Sequence, residues 1–389
     1  MLRSEAAADL EAELKLSRSS RPITLLLPSL YSELEGEALW RIVEELKAVP
    51  YLSRVVVTLG GAGREQFLRA KEYFSVLPQP VTVVWNEGPG VGAVLERLRR
   101  GGVAVGRAGK GRSVWTALGY IAASGGTSVV ALHDCDIVTY ERALLARLCY
   151  PVASADMGYR YCKGYYARVS DRMYGRLTRL FVTPLLRALR GVYGHLPLLV
   201  YLDGFRYPLA GEFSADLSLL RRIGFRADWG LEVGVLVEVF RMSSRQDVCQ
   251  AEICTLYEHK HQPLGTGDPS VGLLRMCIDV AEALLGALDE EGIELASSRL
   301  ERVQAAYADE AAVMVEAYRR DALYNGLPYD EEAERKAVDT FSAGLRAAVE
   351  NHVSGEVKST LLPPWEWVTA EFPGVERMLV EAVEEDNAP

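Results

Sequence analysis

The sequence predicts an α/β protein: a mostly parallel sheet with helices on both faces, then a mixed region, then a helical C-terminal part. Three observations carry this. Short apolar runs alternate with amphipathic stretches from Ile23 to His133, the pattern of strands buried on both faces and joined by crossover helices. The apolar run Val129-Val130-Ala131-Leu132-His133 ends on Asp134-Cys135-Asp136, and ligands bind at the carboxyl ends of strands in open sheets. Beyond Ser270 the periodicity is helical almost throughout.

In chain order, Ala6 to Leu16 is rich in Ala, Glu and Leu and reads as a loosely held helical arm. Ile23 to Leu27 is a strand closed by Pro28-Ser29, and Gly36 to Ala48 is an amphipathic helix. Arg54 to Leu59 is a strand stopped at Gly60-Gly61, Arg64 to Phe74 a helix, and Val81 to Trp85 a strand. Helices follow at Val91 to Arg100 and Ser113 to Ala123, then the carboxylate strand. After Tyr140 the alternation breaks. Met157 to Val169, dense in Tyr and Arg, reads as a strand lining something polar, and Arg172 to Leu189 as a helix with basic residues along it. Leu231 to Phe240 reads as a buried helix and Val248 to Tyr257 as a strand. Val271 to Leu288, Ala296 to Arg320 and Glu331 to Val349 are helical, and the acidic tail Glu384 to Pro389 is expected to fray. The regions are thus an arm (1–22), an α/β domain (23–139), a mixed region completing the site (140–268) and a helical region (269–389).

Composition excludes several classes. With 389 residues, 49% hydrophobic and 25% charged, the chain can bury one large or two ordinary cores. A formal net charge of −10 argues against a general nucleic-acid binder. No apolar run is long enough to span a bilayer, and the start lacks a signal-peptide core, so no membrane partner is expected. The six cysteines are scattered without a CxxC, as reduced thiols of a cytoplasmic protein would be.

Asp134 and Asp136, two apart in an extended chain, point to the same side. They can converge on Mg²⁺, Mn²⁺ or another hard divalent cation carrying a phosphorylated substrate; alternatively one caps a helix and the other is solvated. Gly88-Pro89-Gly90-Val91-Gly92 departs from the dinucleotide fingerprint at Ala93 and follows the third strand, so it reads as a tight strand-to-helix turn. Gly106 to Ser113 misses P-loop spacing, yet Gly109-Lys110-Gly111 can offer amides and an ammonium to a phosphate, or be a solvated turn. Asp134-x-Asp136-x-Val138 also matches the aspartyl-phosphate phosphatase motif, with Asp134 as nucleophile and Asp136 as general acid. The later acidic pair of that motif finds only Gly267-Asp268, with no strand leading into it.

Taken in order, Pro28-Ser29-Leu30, Gly109-Lys110-Gly111, Asp134-x-Asp136, Gly175-Arg176-x-Thr178, Leu209-Ala210-Gly211-Glu212, Gly230-Leu231-Glu232-Val233-Gly234 and a late histidine resemble a known family. It is that of the retaining GT-A glycosyltransferases that make glucosyl- or mannosyl-3-phosphoglycerate, and the likeness runs from about Ile23 to Leu264. The resemblance implies a GT-A-like, Rossmann-type sheet, a nucleotide-sugar-binding domain at 23–139, an acceptor-binding region at 140–268 and a homodimer. It also implies roles. Asp136 and His259 match the metal ligands, and Asp134, Asp136 and Glu232 the catalytic carboxylates. Pro28, Leu30, Glu33, Lys110, Asp134, Cys135, Leu209, Ala210, Gly211 and Glu232 match the nucleotide-sugar site. Gly175, Arg176, Thr178 and His261 match the acceptor site. The chain departs from the family pattern at Tyr31-Ser32, where Asn-Glu is usual, at Cys135, where Ser is common, and at Tyr257, where Arg often stands. The expectation is transfer of mannose from GDP-mannose to 3-phosphoglycerate, with Mg²⁺ or a similar cation as cofactor. Glucosyl transfer from UDP- or GDP-glucose is the alternative, and the phosphatase a further one.

Overall fold

The computed structural model describes residues 6–259, 264, 271–357 and 360–388. The strands are β1 (Ile23–Leu30), β2 (Leu52–Gly60), β3 (Val81–Trp85), β4 (Val129–Leu132), β5 (Tyr161–Tyr165), β6 (Phe213–Asp216), β7 (Phe225–Arg226), β8 (Val248–Glu252) and β9 (Leu361–Leu362). One seven-stranded sheet has the order β3-β2-β1-β4-β6-β5-β8, and β7 pairs with β9. The pairs β1–β2, β2–β3 and β1–β4 are parallel, while β6 runs antiparallel to both β4 and β5. The chain winds outward from β1 to β3 and then crosses back to place β4 on the other side of β1. That reversal opens a crevice at the carboxyl ends of β1 and β4.

Side chains alternate between two cores with the period of two that a pleated strand requires. Ile23, Leu25, Leu27, Val55, Val57, Val129 and Ala131 face one core. Leu26, Val56, Val130 and Leu132 face the other, which continues into the C-terminal helices. Pro28, which has no amide to give, lies beyond Leu26↔Leu132, the last pair of the β1–β4 ladder, so the missing donor costs nothing there.

The helical region is tied back onto the sheet. Trp365 stacks on Trp115 at 4.6 Å and donates its indole N–H to the Trp115 carbonyl at 2.7 Å. Helix Ser297–Tyr324 packs on helix Thr183–Tyr193, and helix Gly272–Glu290 on helix Glu331–Ser354.

Four expectations are corrected. The N-terminal helix Ala6–Ser17 is docked rather than loose: Leu14 is buried, and Tyr150 donates to Glu13 at 2.5 Å. The tail forms helix Val375–Asn387 and closes a sheet edge. Asn387 accepts from the Val83 amide at 3.0 Å and donates to the Val83 carbonyl at 2.8 Å, as a neighbouring strand would. Asn387→Ala is expected to lower stability by about 1 kcal/mol, read as a shift in the urea midpoint; an unchanged midpoint would make the pairing incidental. The strands expected over 157–169 and 248–257 shrink to β5 and β8.

The helix expected from Arg172 begins only at Arg176, because Gly175 sits at φ +72°, which ends any helix approaching it. A π turn, Thr178–Val182, follows before helix Thr183–Tyr193. Pro184 has no N–H for the Leu180 carbonyl one turn back, and the Tyr307 hydroxyl donates to that carbonyl instead, at 2.8 Å.

Candidate active site

The Gly-Lys-Gly segment opens helix Lys110–Ser124. A Cβ on Gly111 would lie 1.9 Å from the Arg226 carbonyl oxygen, so only glycine lets this helix start against β7. The start aims Lys110 into the crevice. Its Nζ lies 2.6 Å from Asp134 Oδ1 and 2.9 Å from Glu232 Oε1, joining the end of β4 to the first turn of helix Leu231–Met242. Burial would lower the Lys110 pKa, but the two carboxylates outweigh it and hold the ammonium above its ordinary value. Burial would raise Asp134, and Lys110 outweighs it in turn, holding that carboxyl below its usual range.

Asp136 faces His259. Its Oδ2 is 3.6 Å from His259 Nδ1. The histidine is brought there by a short antiparallel bridge, Ile137↔His259, and by the Val138 amide donating to the Glu258 carbonyl at 2.8 Å. Asp136 and His259 are the pair that could hold a metal. Among the described residues no group of three or more His, Cys, Asp and Glu is arranged to do so. Two protein ligands suit a cation whose remaining positions go to phosphate oxygens and water; the donor set fits provided His259 exchanges its Arg168 hydrogen bond for the cation, since a neutral imidazole has one acceptor nitrogen.

Burial pushes the Cys135 thiol up, with the Asp134, Asp136 and Glu33 carboxylates adding to it. Pro28 is half-buried, and Leu30 is 57% exposed beside Gly60, an apolar platform open to solvent. A Cβ on Gly211 would sit 2.5 Å from Asp134 Oδ2, so the Leu209-Ala210-Gly211 turn lies directly against the carboxylate. His133, before the pair, is fully buried and packs on Tyr140. Burial takes its pKa down to about 4, which makes it a neutral core residue.

Several residues at the site had no role assigned from sequence. Lys163 on β5 is buried and donates to the Ala210 carbonyl, fixing the turn from below; burial lowers its pKa to about 8. Glu212 is fully buried and accepts from Tyr166 at 2.9 Å and Tyr257 at 2.5 Å. Burial raises its pKa, and the Asp134 charge adds to the rise. Tyr166 and Tyr257 stack at 3.5 Å, which anchors the segment leading to His259. Arg168 donates to His259 Nε2 and lies over the Tyr257 ring at 5.9 Å. The available signal was a charged residue inside an otherwise apolar or aromatic strand, as at Lys163, or directly before one, as at Glu212.

The expected acceptor residues divide. The Tyr174 amide donates to the Arg168 carbonyl at 2.7 Å, so the loop carrying Gly175 and Arg176 meets His259 through Arg168. Arg176 donates its Nε to Glu334 at 2.7 Å. Thr178 is buried, and its hydroxyl has no hydrogen-bond partner among the described residues. His261 lies outside the described residues.

A doubly wound sheet with one antiparallel strand, and a lysine-bridged carboxylate motif at its switch point, define a nucleotide-sugar-dependent glycosyltransferase of GT-A type. Relatives make this particular. The chain is 41% identical over 386 residues to glucosyl-3-phosphoglycerate synthase of Persephonella marina, covering 99% of this chain and 96% of that protein. It is 36% identical over 368 residues to the enzyme of the same name from Methanococcoides burtonii, covering 93% and 90%. The chain belongs to the glucosyl-3-phosphoglycerate synthase family. A solved structure of the Mycobacterium tuberculosis glucosyl-3-phosphoglycerate synthase, in complex with Mn²⁺, UDP and phosphoglyceric acid, shares the fold with TM-score 0.53 and 23% identity, covering 71% of this chain and 82% of that one. The same protein has been solved with Mg²⁺ and UDP, also at TM-score 0.53. No protein-family model matches the chain. The relatives carry the name of the glucosyl alternative rather than of the mannosyl expectation, and the family leaves no place for the phosphatase.

Proposed function

We propose that this protein transfers glucose from a nucleoside diphosphate glucose to 3-phosphoglycerate, with a divalent cation bound by Asp136 and His259. The observation that carries this is the relative named for that product, which is similar along 99% of the chain. The geometry supports it. Leu30 and Pro28 give the base an apolar seat, and Glu33, in the turn after β1, is the carboxylate we assign to the ribose. The cation, when bound, neutralises charge on the departing diphosphate. Lys110 supplies a fixed positive charge beside it, already oriented by Asp134 and Glu232, so little reorganisation accompanies leaving-group departure. Glu232, held by Lys110, accepts from sugar hydroxyls, and the Leu209-Ala210-Gly211 turn, held by Lys163, bounds the sugar.

The acceptor enters beside the Gly175–Arg176 loop, where Arg176 offers a planar fork to its anionic end. This positions the acceptor hydroxyl at the anomeric carbon, which is catalysis by orientation. Attack from the face the diphosphate leaves retains the anomeric configuration. Six unpaired thiols fit a reducing, cytoplasmic setting.

The test is to give the purified protein 3-phosphoglycerate and Mg²⁺ with UDP-glucose, GDP-glucose and GDP-mannose in parallel, resolving products by mass. A glucosyl-phosphoglycerate product is expected; product from GDP-mannose only would reverse the choice of sugar. Arg176→Ala is expected to raise the acceptor KM at least tenfold, since a hydrogen bond to a charged group is worth about 1.5–3 kcal/mol, with donor affinity unchanged. An unchanged acceptor KM would remove Arg176 from the site.

A further inference from the structure

Arg176 is held by one edge only. Its Nε donates to Glu334 Oε1 at 2.7 Å, and neither Nη has a protein partner among the described residues. The side chain is 38% exposed, whereas Glu334 is 5% exposed. Glu334 comes from a distant part of the chain, the first turn of helix Glu331–Ser354, where Asp330 caps the helix by accepting from the Ala333 amide. An acid in a helix's first turn is favoured by the unpaired amides there.

The second oxygen of Glu334 accepts from Arg179 Nη1 at 2.9 Å. Arg179 is itself immobilised: Nε donates to the Tyr174 carbonyl at 2.8 Å, Nη2 points to the Met173 carbonyl, and the guanidinium lies 4.6 Å over the Tyr318 ring. Two C-terminal helices, those carrying Glu334 and Tyr318, therefore join the Met173–Tyr174 carbonyls in fixing one arginine, and Glu334 holds a second by its inner edge. A guanidinium fixed at Nε keeps its outward Nη pair, the geometry that takes a carboxylate or phosphate in two parallel hydrogen bonds. Fixing it beforehand removes rotamer entropy that binding would otherwise cost.

We propose that Glu334 is a positioning residue for the acceptor: it orients Arg176 toward the anionic group of 3-phosphoglycerate and makes the C-terminal helical region part of the acceptor site. This rests on the acceptor reading of Arg176 given above. Glu334 acts through Arg176 and does not itself touch the substrate.

The experiment compares full-length wild type with R176A, E334Q and E334D, measuring KM for 3-phosphoglycerate, KM for the nucleotide-sugar and thermal midpoint. E334Q is expected to raise the acceptor KM about tenfold with the donor KM unchanged, and E334D, which keeps the charge on a shorter stem, to recover part of the loss. A purely structural role would instead lower the midpoint and leave both KM values together. Should E334Q not fold, E334D carries the same comparison, a raised acceptor KM supporting the proposal and an unchanged one overturning it. An acceptor KM in E334Q equal to or below wild type, with R176A still impaired, overturns the positioning role but leaves Arg176 in the site; a lowered value would mean that Glu334 competes with the acceptor. A wild-type acceptor KM in R176A overturns the acceptor reading and this proposal with it.

Discussion

Asp136→Ala is expected to cut turnover by on the order of a thousandfold, about 4 kcal/mol in the barrier, with little change in stability. The two halves of that expectation have different sources. Asp136 is partly exposed and lies 3.6 Å from the His259 ring, and among the described residues no core group is seen to lean on its carboxylate. A cation held by two protein ligands loses half of its protein anchor when Asp136 goes, and with it the charge that offsets the leaving diphosphate. His259→Ala should have a smaller effect, because a carboxylate anchors a hard cation better than an imidazole does. Turnover at saturating Mg²⁺ and Mn²⁺, thermal midpoint and Mn²⁺ binding followed by EPR separate the parts. Turnover within tenfold of wild type, or a collapse of the midpoint, would make Asp136 structural.

The crevice at the ends of β1 and β4 was legible because it is built locally. β1, β4 and the turn after each are short stretches whose apolar run, breaker and paired carboxylates can be read residue by residue, and the sheet order then brings Leu30, Lys110 and Asp134 to one crevice. The acceptor side was not, for a physical reason. The state of Arg176 is set by Glu334, 158 residues away, and no periodicity connects the two. A run of basic residues from Arg172 to Arg179 carries a helical pattern, but Gly175 at φ +72° interrupts it, and a propensity summed over the window hides one residue. The tail failed similarly. Glu384 to Pro389 has the composition of a frayed end, yet Asn387 finds the open edge of β3, a tertiary partner that composition cannot show. Lys163 was passed over because it lies inside a strand, where charge is rare unless a partner is fixed in advance.

Lys110→Gln is expected to lose at least a hundredfold in kcat/KM for the nucleotide-sugar, and roughly 2 kcal/mol in stability, since a charged hydrogen bond contributes about 1.5–3 kcal/mol and the Gln amide can keep one of the two. In the wild type, one ammonium lies between Asp134 at 2.6 Å and Glu232 at 2.9 Å. Its removal leaves two acidic side chains facing a crevice that must also admit a diphosphate, so like charges repel where the wild type attracts. Lys110→Arg keeps the charge, but its planar fork does not reproduce a point donor shared by two carboxylates, so only part of the loss should return. Donor KM and kcat, acceptor KM, and a urea midpoint for each variant decide the matter. If Lys110→Gln lowers the midpoint while kcat/KM stays within threefold, the lysine is a strut between β4 and helix Leu231–Met242. If kcat/KM falls and the acceptor KM holds, the same lysine serves the departing diphosphate, and the carboxylates that fix it are part of the machinery.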